Sequence, residues 1–382
     1  MTWRLSLSLF AGLALLVGLI YADAPAPPKD GPAPAVTVAE PVTHGNLTVF
    51  FLRGKDTIPA GHTFLTLQEA IEQKKLVVHE TGTVNELSVE NVSPDVDVFI
   101  QTGDIVRGGR QDRLMAMDMV VPPKSGKLPI ASFCCESGRW QQRGRESAGE
   151  FNKSDKQAAN KDVKLAISGG RDQGQVWEKV KQAQMKLSKN VGKPVADAAS
   201  PSSYQLTLED KDLLAKIEAY VKAIKPSIEG KDDVIGFVIA INGKVEGAEV
   251  YGSAALFRKL WPKLVEGAAT DALAEFQKDK KFDACTAKGC EKFLADAEKG
   301  KRSEVAAKPA DERGRGPGRA NADRQQAANP NVGGPPTHGA PAVAAKIGRV
   351  RNFACDSDKS LMLECQDAKV GNAVLHRSYI AK

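Results

Sequence analysis

The apolar positions of this chain change period near its middle. Up to residue 133 they come in short runs of apolar and β-branched residues separated by Gly, Pro, Asn or Asp, and the runs at 47–52, 76–80, 86–89, 96–101, 117–121 and 128–133 predict strands. One helix interrupts them. Thr66 stands three residues before Glu69, the spacing of a capping box, with Leu67, Ala70 and Ile71 on one face and Lys74 and Lys75 at the negative end of the helix dipole. From residue 175 the period becomes helical. Val176, Val180, Ala183 and Leu187 predict a helix over 175–189, and Leu213, Ile217, Tyr220 and Ile224 a second over 207–224, capped by Thr207 and stopped by Pro226. Asn242 and Gly243, flanked by the runs 234–241 and 244–250, predict a tight hairpin because both tolerate positive φ. A last helix over 253–276 carries Leu256, Phe257, Leu260 and Trp261, with a kink expected at Pro262. The stretch 143–161 is polar and aperiodic and reads as a loop.

This order predicts an α+β fold, a β-rich N-terminal half packed with a helix–hairpin–helix C-terminal half and followed by a disordered tail, because strands and helices do not alternate throughout. One globular domain over 47–277 is the simplest division. Residues 23–46 are rich in Pro and Ala and read as a linker. Residues 278–346, charged and then of low complexity, hold too few large apolar side chains to offset their conformational entropy. Residues 347–382 regain an apolar pattern, in a segment too short to fold without a bridge or a surface to dock on.

The N-terminus reads as a signal peptide over 1–22. Arg4 precedes an apolar run at 5–20, and Pro25 blocks a cut after Ala24, which leaves Ala22 as the cleavage position. The run is short for a membrane span, so the expected location is the periplasm, cell surface or medium, with membrane attachment only if the segment is retained. Export changes the reading of six cysteines. Cys285 with Cys290 and Cys355 with Cys365 are spaced for local disulfides, whereas Cys134 and Cys135, adjacent on a strand, face opposite ways. No cysteine pair has zinc-knuckle spacing and the five histidines are scattered, so no metal site is expected. The net charge of +6 accompanies no recognisable nucleic-acid-binding module.

Candidate chemistry concentrates at 99–140. Gly108 and Gly109 lie between Arg107 and Arg110, with Arg113 close behind and Arg139 and Trp140 closing the segment. Exposed amides of a glycine pair beside several guanidiniums suit a phosphate or carboxylate, and Trp140 offers a face for stacking. The competing reading is that these arginines pair with Asp104, Asp112 and Glu136 to fix a loop. Those three carboxylates, with Asp118, are also the candidates for acid–base catalysis, which requires two of them to converge. The glycine spacing is neither the dinucleotide fingerprint nor a phosphate loop. No histidine lies near Cys134 or Cys135 to activate a thiol.

The motifs GDIVRGGRQDR, VVPPKS and CCESGRW, followed by VIGFVIAINGKVEGAEVYGSAALFRKLW, resemble the ARG and rhodanese-phosphatase-superfamily-associated protein domain across residues 47–276. In that pattern the cysteine two positions before the glutamate corresponds to Cys134, and Cys135 stands where an apolar residue is usual. The resemblance implies no defined activity and leaves the cofactor unknown. Its name records association with ADP-ribosylglycohydrolases and phosphatase-like proteins, which favours a phosphate-bearing or ADP-ribose-like ligand by association alone. The leading expectation is therefore binding of a small anionic ligand or an acidic protein surface at Arg107, Gly108, Gly109, Arg110, Arg113, Arg139 and Trp140. The alternatives are a hydrolase of phosphoester or glycosidic bonds using Asp104, Asp112 or Glu136, and a structural or interaction module in which the same residues lock the fold.

Overall fold

In a computed structural model of the chain the described residues are 30–157, 160–170, 172–305 and 349–382. The expected signal peptide and most of the expected low-complexity tail lie outside them. In chain order, β1 (Val36–His44) and β2 (Leu47–Gly54) form a hairpin, and β3 (Phe64–Thr66) leads into α1 (Leu67–Glu72). Strands β4 (Leu76–Glu80), β5 (Glu86–Asn91), β6 (Asp97–Ile100), β7 (Asp104–Gly108), β8 (Arg113–Met115), β9 (Met119–Val121), β10 (Lys127–Cys134) and β11 (Phe151–Gln157) follow. Helices α2 (Lys161–Leu165), α3 (Gln173–Val191), α4 (Tyr204–Leu208) and α5 (Lys211–Ile224) precede the hairpin of β12 (Val234–Ile241) and β13 (Lys244–Tyr251). Then come α6 (Ala254–Ala274), α7 (Ala287–Glu298), β14 (Lys301–Glu304), β15 (Val350–Asp356), β16 (Ser360–Asp367) and β17 (Ala373–Ala381).

Among the described residues these strands make an eight-stranded sheet in the order β1-β2-β12-β13-β17-β16-β15-β14, a six-stranded sheet β11-β7-β8-β10-β5-β4 and a small sheet β3-β6-β9. Pairing is antiparallel except between β3 and β6. The fold is α+β, as the pattern predicts. The large sheet is covered on both faces because alternate residues of a strand point to opposite sides. Leu47, Val49 and Phe51 of β2 meet α5 and α6 through Leu213, Ile217, Phe257, Leu260 and Trp261. Phe50 and Leu52 of the same strand face the opposite way, toward Cys290 and Leu294 of α7. That double burial explains the unbroken apolar run in β2.

Local chemistry sets the boundaries that the sequence marks well. The Thr66 side chain accepts from the Glu69 amide at 3.2 Å and the Glu69 carboxylate accepts from the Thr66 amide at 2.9 Å, so both halves of the capping box are made. Asn242 and Gly243 have φ of 53° and 77°, as the tight turn between β12 and β13 requires. The α6 helix runs unbroken through Pro262.

Elsewhere the structure departs from expectation for physical reasons. The region 23–46 contains β1, and Pro41 is accommodated where the register with β2 shifts. The loop expected over 143–161 contains β11, whose inward residues Phe151, Ser154 and Gln157 recur every third position and so show no alternation. The helix expected from Thr207 is two helices: Ser203 caps α4, Asp210 caps α5, and Thr207 is buried within the first turn of that pair. The linker expected from 278 supplies α7 and β14. The C-terminal segment forms β15 to β17 and docks as part of the sheet, with β17 pairing to β13. No disulfide holds it. Cys355 lies opposite Met362 and Cys365 opposite Asn352, which puts the two sulfurs three registers apart on opposite faces of the sheet and excludes the expected Cys355–Cys365 bridge. No described helix is long and apolar enough to cross a membrane.

Candidate functional site

The glycine pair ends β7 with positive φ, 114° at Gly108 and 55° at Gly109. A Cβ on Gly109 would stand 2.3 Å from Cζ of Phe151, so this glycine makes room for a core ring of β11. The turn then folds back on itself. Gly108 N–H donates to Asp112 Oδ1 at 2.9 Å, and the protein's own carboxylate occupies the place that a bound anion would take. Asp112 N–H in turn donates to Glu136 Oε1 at 2.9 Å.

Around this pair the loop after β10 wraps two arginines. Arg143 holds Asp112 through Nη1 at 2.8 Å and Nη2 at 3.1 Å, a two-pronged contact, and reaches Glu146 at 2.9 Å. Arg139 donates to Glu136 through Nε at 2.8 Å and through Nη2. Ser200 Oγ donates to Glu136 at 2.7 Å, and Ser203 Oγ lies 3.3 Å from Asp112. Both carboxylates are fully buried. Burial pushes the Asp112 carboxyl up against the pull of Arg143. Burial acts the same way on Glu136, but the Arg139 hydrogen bond and charge outweigh it and hold that carboxyl below its ordinary value.

The remaining motif residues are placed as follows. Arg113 is wholly buried; its Nη2 lies 3.3 Å from Glu80 and its Nη1 donates to Cys134 Sγ at 2.8 Å and to the Val84 carbonyl. Arg107 pairs with Glu209 at 2.8 Å and Glu146 at 3.4 Å. The Arg110 guanidinium carbon lies 5.5 Å from the centroid of the Trp140 ring, which also receives Arg113 at 5.4 Å. Asp104 does not join Asp112 and Glu136, because Lys263 of α6 takes its carboxylate. Burial lifts the Cys134 thiol to about 11 despite Arg113, and lifts Cys135, packed under α3, well above its ordinary value. Neither thiol has the environment of a nucleophile. The structure brings Asp112, Glu136, Arg139 and Gly108 to one place. The sequence pattern does not point to Arg143, which falls in the stretch read as loop, nor to the distant partners Glu80, Ser200 and Glu209.

A second constellation is invisible in the sequence. His376 on β17 is buried between two carboxylates, Nδ1 at 2.6 Å from Asp118 Oδ2 and Nε2 at 2.8 Å from Glu249 Oε2. Two acceptors on one ring call for the doubly protonated imidazolium. Burial works against that charge, but Asp118 and Glu249 prevail and raise His376 to about 9. The Tyr251 ring stacks on it at 4.6 Å. Asp118 also accepts from Thr102 N–H and Oγ1, each at 2.7 Å.

Glu249 carries this network to a small, partly open cleft of about 40 Å³ between β11, α2, β12, β13, β17 and α6. Lys164 reaches Glu249 at 2.7 Å, and Lys161 pairs with Glu246 at the rim. Phe237, Ile239, Leu264 and Ile380 give the cleft an apolar lining, and Asp271 of α6 completes it. The two inner carboxylates are driven apart. Burial opposes the Glu249 charge, yet Lys164 and His376 hold it at about 2, whereas burial raises Asp271 to about 7 against Lys164 and a hydrogen bond with Asn160. Such a split, one carboxyl fixed as the anion and one near neutrality, is the usual electrostatic preparation for acid–base work. No motif residue lines this cleft. Among the described residues no group of three or more His, Cys, Asp or Glu is arranged to hold a metal ion.

No curated protein and no solved structure matches the chain. The model of one family does, over residues 35–329, from β1 through α7 and β14 and so beyond both ends of the motif-bearing stretch. Strands β15 to β17, with His376, lie outside the matched residues. A match over most of the chain, with GDIVRGGRQDR and CCESGRW building the buried arginine–carboxylate cluster, places this chain in the family of the ARG and Rhodanese-Phosphatase-superfamily-associated Protein domain.

Proposed function

We propose that this chain is an exported ligand-binding domain whose small-molecule site is the cleft over Lys164, Glu249 and Asp271, and that the arginine-rich motif locks the first half of the fold. The observation that carries this reading is the placement of Glu249, held by Lys164, and Asp271 together in one cleft lined by Phe237, Ile239, Leu264 and Ile380. Lys161 and Lys164 are committed to Glu246 and Glu249, so the cleft has no spare cation for an anion. Asp271 suits a hydroxyl or ammonium donor presented at the mouth of the cleft beside its apolar wall, as sugars and amino sugars present them. Export rests on the N-terminal sequence pattern and is tested by the mass of the mature N-terminus.

Calorimetry of the mature chain against neutral sugars, amino sugars, amino acids and phosphate esters tests the site. A ligand of the first three classes whose affinity falls at least tenfold in Asp271→Asn supports it. Silence across the panel, or equal affinity in the variant, overturns it.

A second reading, binding of an anion at the motif, is favoured by Arg110, whose guanidinium contacts the Trp140 ring while the neighbouring arginines are held by carboxylates. Phosphate-ester binding abolished by Arg110→Ala would select it. The hydrolase reading has its proximity in Asp112 and Glu136, which share Arg143 Nη1 at 2.8 and 3.9 Å, but these groups are sealed from solvent and already bonded.

A further inference from the structure

The cysteines provide one observation that neither the cleft nor the motif uses. All six thiols are free, and among the described residues Cys285 and Cys290 are the pair in sulfur contact, with Sγ atoms 3.8 Å apart. Their positions follow from the helix they flank. Thr286 caps α7 by accepting from Gly289 N–H at 3.1 Å, which makes Cys285 the residue before the cap and Cys290 the fourth residue of the helix, the two positions that meet in a hydrophobic staple. The space beside them is uncrowded: a Cβ on Gly289 would meet Thr286 Oγ1 at 3.4 Å and Cys285 Sγ at 3.9 Å, both ordinary contacts. Cys290 is buried in the cluster under α7, while Cys285 is half-buried and reachable from solvent.

We propose that Cys285 and Cys290 are a covalent modification site, closing to an intramolecular disulfide that ties the residue before the cap to the first turn of α7 when the chain meets a small-molecule disulfide such as oxidised glutathione. The Cys285 thiolate, the accessible one, attacks one sulfur of the oxidant and releases a first equivalent of reduced thiol. Cys290 attacks the Cys285 sulfur of the mixed disulfide and expels the second equivalent as a thiolate, which takes up the proton that Cys290 gives up. Two thiols are oxidised, one disulfide is reduced to two thiols, and no other co-reactant is needed. The remaining cysteines do not compete: Cys134 is held by Arg113, Cys135 packs in the core, and Cys355 and Cys365 lie on opposite faces of the sheet. The staple bears on more than α7 alone, because Glu298 at the far end of that helix holds Arg377 at 3.0 Å and the Tyr379 hydroxyl at 2.8 Å on β17.

The experiment treats the full mature chain with oxidised glutathione, blocks free thiols and digests with trypsin, which cleaves after Lys288 between the two cysteines. The expected result is a 2-Da loss in the intact mass, a disulfide-linked pair of peptides spanning 282–288 and 289–292, and a melting temperature raised by ~4 °C. Cys285→Ser, at a half-buried position that tolerates a hydroxyl, is expected to fold and to show neither the mass loss nor the shift. Both thiols remaining free for blocking, a mixed disulfide that never resolves, or a linkage to any other cysteine would overturn the proposal.

Discussion

The backbone N–H of Asp112 donates to the Glu136 carboxylate at 2.9 Å, while the Asp112 carboxylate itself caps Gly108 N–H. Two negative groups are thereby held side by side inside the protein, and Arg139 and Arg143 make that arrangement tolerable. A buried pair of this kind is costly to break from one side, because the group left behind keeps its charge and loses its solvation.

Arg143→Ala is therefore expected to destabilise the protein by about 3 kcal/mol in urea unfolding, in the range for removing one partner of a buried pair. Ligand affinity at the cleft should stay within twofold of wild type. A loss of affinity with stability intact would mean that Arg143 contacts a ligand.

Gly109→Ala tests the meaning of the glycine pair. The new methyl meets the Phe151 ring at 2.3 Å on a backbone with φ of 55°, and the expected cost is roughly 2 to 4 kcal/mol. Adding Phe151→Leu should cost less in the alanine background than in wild type, because the smaller side chain relieves the clash. If the two changes add independently, the ring is not what the glycine accommodates.

The His376 network sets a stability window. His376 is raised from its ordinary value to about 9, so its contribution is complete below about 6.5 and is lost as pH rises through 9. Glu249 is lowered to about 2, so its contribution is complete above about 4.5 and is lost as pH falls through 2. His376→Gln should cost about 3–5 kcal/mol near pH 6 and much less at pH 9.5, measured by chemical unfolding across that range. A cost that does not change with pH would show that the imidazole is neutral in the folded protein.

Asp271 has the opposite character from Glu249. Its folded carboxyl is raised to about 7, so its ionisation works against the fold: the stability it lends is present below about 4 and is lost as pH rises through 7. Asp271→Asn should match wild type in stability near pH 3.5 and exceed it at pH 8, the difference opening between pH 4 and pH 7. The reverse ordering at pH 8 would mean that the ionised carboxylate has a partner that stabilises it.

How much of this was legible in the sequence depends on the distance between the residues involved. The Thr66–Glu69 box and the Asn242–Gly243 turn are contacts within four residues, and the pattern places them correctly. The motif brought Gly108, Asp112 and Glu136 to one site because they lie within a single short stretch, but whether its arginines faced water or carboxylates depended on Glu80, Arg143 and Glu209, which carry no local signal. The His376 network and the cleft beside it carry no local signal for the same reason: His376 meets Asp118 across 258 positions and Glu249 across 127, and Lys164 meets Glu249 across 85. The α7 helix was missed because its apolar face is made of Cys290, Leu294 and Ala297, too small and sparse to stand out in a charged segment.

Hydrogen–deuterium exchange of the mature chain, with and without the tightest-binding member of the sugar and amine panel, reports both regions at once. Slowed exchange is expected in peptides covering 244–251 and 261–274, with unchanged exchange across 104–115 and 136–146. Protection confined to the glycine–arginine motif, with the cleft peptides unaffected, would contradict it.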